Sequence, residues 1–229
     1  MLYAIGEIAL VMIGILLALQ VNTWNNNREL KKEEFKVLKS LHQEFNENLI
    51  KFDSSYSFHL RRKKSIETVM SINLESLSTD SLLLLNDRVN GNYTFDPFQG
   101  IYNSVISSGK IELISNDILK NKISRIQDLL MDYKEEEDET KNTAIEKLYP
   151  FIFKLPMKSF NYDSENKQIT EESIQIKKNY IKIFQSQEYN NMMILLRGWM
   201  SSIFEEGPIL REEMIFIINL LESEIEKYK

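Results

Sequence analysis

Apolar side chains occupy nearly every position from Leu2 to Val21, LYAIGEIALVMIGILLALQV, with Glu7 the single formal charge. A hydrocarbon slab about 30 Å thick is crossed by roughly 20 mainly apolar helical residues, so this run predicts a transmembrane helix. Beyond the polar joint at Asn22 and Asn25 to Asn27 the pattern becomes periodic. Leu38, Phe45, Phe52, His59 and Ile66 recur every seventh residue, and His42, Leu49, Tyr56, Lys63 and Met70 form a second row four positions on. That is heptad spacing and predicts a long amphipathic helix over 28–72, either running on from the first helix or beginning afresh after the joint. Its bulky aromatic occupants suit packing against the chain's own helices better than a homo-oligomeric coiled coil.

Shorter elements follow. Thr79-Asp80-Ser81 opens a helix whose Leu82–Leu85 block is too apolar to be exposed, and Asn90-Gly91-Asn92 closes it as a turn. Asp96 before Pro97 reads as an N-cap and first-turn pair, Ser107-Ser108-Gly109 as a helix end with a residue free to take positive φ, and Ser115 or Asn116 as the cap of a longer helix. In that helix Ile118, Leu119, Ile123, Ile126, Leu129, Leu130 and Tyr133 keep a 3.6-residue period. Pro150, Pro156 and the polar run 161–167 mark a joint near 150–170, Thr170 with Glu171 and Glu172 restarts a helix, and Gly207-Pro208 is expected to break the last one. The fold class predicted is all-α: an anchor over 1–27, the amphipathic helix over 28–72 and a helical-bundle domain over 73–229. Seven Gly and four Pro are too few to punctuate an all-β chain of 229 residues.

Charge and chemistry narrow the function. A net charge of −6 argues against general nucleic-acid binding, which needs a basic stripe to displace counterions. With no cysteine, thiolate catalysis, thiolate zinc and disulfides are excluded. No Gly-rich phosphate loop and no nucleophile with a placed base stands out, so no catalytic, cofactor or metal residues are expected and a non-enzymatic role is favoured. The acidic run Glu135–Glu139 lacks the alternating ligands and central glycine of a calcium loop and reads as a solvated face, as does the basic run Arg61–Lys64. Both histidines read as packing residues.

Within the first helix Glu7, Val11, Gly14, Ala18 and Val21 share a face, and Gly14-x-x-x-Ala18 lets two helices approach closely in lipid. Trp24 suits headgroup depth as an interface anchor. Glu7 reads as a rim residue reaching the headgroups; the sharper alternative is a carboxylate protonated or paired across an oligomer, lining an ion path. Arg28, Lys31, Lys32, Lys36 and Lys39 follow the span closely, which by the positive-inside rule places the domain in the cytoplasm.

The strings Gly6-Glu7-Ile8 and Gly14-Ile15-Leu16-Leu17-Ala18-Leu19-Gln20-Val21-Asn22-Thr23-Trp24-Asn25 resemble the opening of an uncharacterised family of small membrane-anchored proteins of Bacteroidetes. Phe95-Asp96-Pro97, Tyr102, Ser107-Ser108-Gly109-Lys110 and Leu113-Ile114-Ser115-Asn116 resemble its internal signature. The resemblance implies a basic segment ahead of the span; if one precedes Met1, the chain is a single-pass inner-membrane protein with a periplasmic domain. Ser107, Ser108, Gly109 and Lys110 read as capping and turn chemistry, with a ligand-reading loop as the alternative. The function expected is an interaction module, a scaffold, sensor or accessory subunit, that homo-oligomerises through its first helix in the bilayer and engages another membrane or envelope protein. The alternative is a small channel or transport subunit whose first helices ring a path at Glu7.

Overall fold

Between Ile15 and Ser71 the sequence holds neither glycine nor proline. A computed structural model shows one helix, α1, from Leu2 to Ser71. Asparagine costs only about 0.7 kcal/mol or less relative to alanine within a helix, so the Asn-rich joint does not interrupt it. The structure describes the backbone of residues 2–153 and 171–228 and the side chains of residues 10–153 and 174–228. Glu7's side chain, Pro156, the run 161–167 and Thr170 lie outside them. Among the described residues no helix is long and apolar enough to cross a membrane. From 10 to 33 every residue of α1 is exposed, and burial begins at Glu34.

The described residues are all-helical: α2 (Thr79–Asn90), α3 (Gly100–Ser107), α4 (Asp117–Thr143), α5 (Tyr149–Phe153), α6 (Glu171–Phe184) and α7 (Gln187–Glu226) follow, with 3-10 turns at Leu74–Ser76 and Lys110–Leu113 and a π turn at Ala144–Leu148. They form two units. The first takes Met1–Glu47, Phe98–Arg125 and Met214–Lys229; the second takes Asn48–Pro97 and Ile126–Glu213. Leu38, Leu41, Ile114, Ile123 and Ile217 centre the first core, and Phe52, Leu82, Ile126, Tyr189 and Ile203 the second. In the second unit α2 packs on α6.

The heptad stripe Leu38, Phe45, Phe52, His59 and Ile66 is buried throughout. Its partner row differs from the expected one. His42, Leu49, Tyr56, Lys63 and Met70 are only half-buried. The row three residues after each stripe position, Leu41, Asn48, Ser55, Arg62 and Val69, is buried instead, with Glu34 one heptad earlier. Most of that row is polar, so an apolar stripe could not reveal it. The Leu82–Leu85 block is likewise split: Leu82 and Leu85 are buried while Leu84 faces out, because a single helix face meets the core.

Three expected helix boundaries move. Asp96-Pro97 does not start α3, which begins at Gly100 with a cap from another helix. Pro150 does not end the chain's fourth helical run, because the π turn precedes it: the Tyr149 N–H bonds to the Ala144 carbonyl five residues back. A proline ring crowds the carbonyl four residues earlier, and this wider turn relieves the crowding. Gly207-Pro208 does not break α7, which runs through both residues. Buried residues at Met200, Ile203, Leu210, Met214 and Ile217 hold one continuous helix face on either side of the proline.

Gly207 is required by close approach. A Cβ there would stand 2.5 Å from Tyr56 Cε2 and 3.2 Å from Tyr133 Cε2. Gly207→Ala is therefore expected to destabilise by about 1–3 kcal/mol through overpacking, against the gain of about 1 kcal/mol in helix propensity. Chemical denaturation checks this, and Tyr56→Ala in the same chain is expected to remove most of the loss.

Candidate functional site

The buried polar row of α1 meets a counterpart on α4. In the second unit Ser55, His59 and Arg62 lie on successive turns of α1, and Tyr133, Glu137 and Thr140 on successive turns of α4, all buried. Helical spacing of three and four residues places each set on one face. Glu137 is the hub. Its Oε1 accepts from Ser55 Oγ at 2.7 Å and stands 2.8 Å from His59 Nε2, while its Oε2 accepts from the Phe95 backbone N–H at 2.6 Å. Nε2 as the proton-bearing nitrogen is assigned from this network, which leaves His59 Nδ1 without a partner among the described residues. Phe52, Phe95 and Tyr133 form a three-ring cluster, with the centroid of Phe52 5.4 Å from Phe95 and 5.2 Å from Tyr133. Burial pushes the Tyr133 phenol up, and the Glu137 charge adds to the shift.

This is not a nucleophile relay. A serine nucleophile must give its proton to the imidazole, whereas here Ser55 and His59 both address the carboxylate. What the arrangement does is join α1, α4 and the extended segment before Pro97. Glu137 also corrects the reading of Glu135–Glu139 as a solvated face: Glu135 and Glu139 are exposed, but the middle residue turns inward.

The first unit repeats the device. Glu44 of α1 accepts from the Ile101 and Tyr102 N–H groups, both at 2.8 Å, where Gln99 supplies no side-chain cap. The first N–H groups of a helix are orphans and the dipole favours an anion there, so a carboxylate from another helix replaces the expected Asp96 cap. Glu34 accepts from the Ser115 N–H at 2.6 Å and the Tyr228 hydroxyl at 2.6 Å. Burial and the Glu34 carboxylate push that phenol up. Asn116 caps α4 through the Leu119 N–H at 3.1 Å and donates to Glu224 at 2.6 Å.

The signature loop is exposed from Ser107 to Lys110. Ser108 Oγ donates to the Ser104 carbonyl at 2.6 Å, and Gly109 takes φ 70°, the left-handed conformation that lets the chain leave α3. On α1, Val11, Gly14, Ala18, Val21 and Trp24 are exposed, with Arg28 over the Trp24 ring at 5.8 Å. Among the described residues no group of three or more His, Asp or Glu side chains is placed to hold a metal ion.

Arg62 belongs to the run Arg61–Lys64 expected to be solvated, yet it is fully buried. Its Nε donates to the Val89 carbonyl at 2.9 Å, and burial lowers the guanidinium to about 10. Nearby, the Tyr149 hydroxyl donates to the Asn90 carbonyl at 3.0 Å. A cavity of about 340 Å³ opens beside the π turn, lined by Glu146, Lys147, Pro150 and Phe151 and by Met192 and Leu195 of α7. Sequence reasoning missed Glu34, Glu44, Arg62, Glu137 and Glu224. For Glu34 and Arg62 the available signal was a charge or amide recurring at a heptad position next to the apolar stripe; Glu44, Glu137 and Glu224 carried none.

Compared with known proteins, residues 7–143 match the model of a family of unknown function, DUF6090. Neither a curated protein nor a solved structure matches the chain. The matched span reaches the end of α4 and includes Glu34, Glu44, Glu137 and the segment they bind.

Glu137→Ala leaves Ser55, His59 and the Phe95 N–H without an acceptor and is expected to cost about 3–5 kcal/mol. Exposed Glu139→Ala is expected to cost less than about 0.5 kcal/mol, and equal losses in chemical denaturation would contradict this assignment. For Glu224, burial pulls the carboxyl upward, but the bonds from Lys227 and Asn116 outweigh it and hold it below the ordinary carboxylate value. Its contribution is complete above that value and is lost as pH falls through the lower folded pKa. Glu224→Gln is therefore expected to flatten the acid limb of the stability curve, measured by unfolding at stepped pH.

Proposed function

We propose that this chain, which belongs to the family of unknown function DUF6090, is a membrane-anchored, non-enzymatic helical interaction module that self-associates through Val11, Gly14, Ala18 and Val21. The observation that carries the reading is the bare apolar stretch of α1. From Leu10 to Val21 the side chains are almost all apolar and exposed on every face of the helix, Val11 at 63% and Leu17 at 58%. Burying one such side chain is worth about 1.5–3 kcal/mol, and soluble monomers rarely leave so large an apolar surface in water. A helix apolar all round finds that burial in lipid or against copies of itself. Among the described residues nothing lies within 4 Å of a Cβ built on Gly14, so a second helix has room to approach there. An exposed Trp24 with Arg28 beside it suits the headgroup layer. The interior carboxylates support a structural rather than catalytic use, since their hydrogen bonds go to backbone donors and neighbouring helices.

The full chain is expected to stay in the membrane pellet through an alkaline wash. Leu16→Arg adds about 2.5–3.5 kcal/mol to insertion at the helix centre and is expected to move much of the protein to the supernatant. Wild-type chain that floats free after detergent-free lysis overturns the reading. Gly14→Ile is expected to keep membrane retention while lowering the cross-linked dimer fraction; an unchanged dimer fraction removes the self-association face.

A further inference from the structure

Arg62 has more donors than the second unit uses. A guanidinium carries five N–H groups. One of them, on Nε, serves the Val89 carbonyl in the last turn of α2, where orphan carbonyls and the negative end of the helix dipole favour a cation. That bond accounts for a helix-end role and leaves Nη1 and Nη2 buried without a partner among the described residues. The Tyr189 hydroxyl is buried and unpartnered too. Among the described residues the ionisable groups that act on Arg62 are the Tyr149 and Tyr189 phenols, and a neutral phenol does not offset its charge. Glu137, the fully buried carboxylate of this unit, already serves Ser55, His59 and Phe95. A buried cation without a counter-charge among the described residues is costly, so an anion at this position has a large electrostatic advantage.

We propose that Arg62 Nη1 and Nη2, with the Tyr189 hydroxyl as a third donor, form a binding site for a small oxyanion, a carboxylate or phosphate group. The planar fork of a guanidinium matches two oxygens of such a group. The 340 Å³ cavity is one ring away from this cluster: Phe151, which lines it together with Glu146, Lys147 and Glu188, packs on the Tyr189 ring, with centroids 6.3 Å apart. It also lies beside a π turn, a distortion frequent at functional sites. The same oxyanion chemistry belongs to a free ion and to the acid end of an organic molecule whose apolar body rests against Pro150, Phe151, Met192 and Leu195.

The test is thermal unfolding of the full-length protein in non-ionic detergent, titrated with inorganic phosphate, acetate or octanoate against sodium chloride of equal ionic strength. Wild type is expected to show a saturable rise in midpoint, because a ligand of the folded state stabilises it by mass action. Tyr189→Phe removes one donor, preserves the ring, and is expected to weaken half-saturation about tenfold. Arg62→Met is expected to abolish the response and, without added oxyanion, to be no less stable than wild type, because an unpaired buried charge has been removed. If Arg62→Met fails to fold, the Tyr189→Phe titration still decides. Equal responses to phosphate and acetate with no advantage for octanoate assign a free ion, whereas half-saturation at much lower octanoate assigns an organic acid. A wild-type midpoint unmoved by all three, or moved equally in Tyr189→Phe and Arg62→Met, overturns the proposal.

Discussion

A peptide N–H withdrawn from water must find an acceptor, and outside a helix the chain does not supply one automatically. Here the stretch between α2 and α4 contains just eight α-helical residues, Gly100–Ser107, and a short 3-10 turn. Its donors at Phe95, Ile101, Tyr102 and Ser115 are met by Glu137, Glu44 and Glu34, carboxylates carried by long helices. Charge-assisted bonds of this kind are roughly twice as strong as neutral ones. They are also less forgiving, since loss of one partner strands a charge in the interior. Within each unit the irregular segment is therefore bound to regular helices by electrostatics as well as by packing.

The same constraint gives meaning to the polar row of α1. Asn48, Ser55 and Arg62 occupy positions that an ordinary heptad seam would fill with leucine or isoleucine. An apolar seam gains area burial but leaves register loose, whereas each of these polar groups is satisfied in few geometries. Ser55 and His59 reach Glu137 only if α1 and α4 are aligned so that their turns coincide. Arg62 is the exception in the row, with one bond to Val89 and two nitrogens still without a partner among the described residues. Where a structure departs from full satisfaction of its buried polar groups, that place calls for a chemical reason.

α1 thus carries two kinds of surface in sequence. Up to Glu33 its described residues are exposed, almost all apolar as far as Val21 and mostly polar afterwards; from Glu34 every heptad brings buried positions. The first kind suits a lipid or self-association role, and the second builds a scaffold.

The helical class, the long first helix and its apolar stripe were legible from composition and period. So were the positive-φ glycine at 109 and a cap at Ser115 or Asn116, of which the structure uses Asn116, because both depend on residues a few positions apart. Which flank of the stripe is buried was not legible, since that depends on Tyr133, Glu137 and other side chains far along the chain. The inward turn of Glu137 and Arg62 within runs of like charge, the replacement of the Asp96 cap by Glu44, and the passage of α7 through Pro208 were hidden for the same reason. The sequence by itself determined the helical class, the apolar stripe of α1 and the positive-φ turn at Gly109, because backbone propensity and apolar periodicity act locally. Only the tertiary structure decided which charges go inside, because the desolvation cost of a buried charge is overcome by partners that folding alone brings within hydrogen-bond reach.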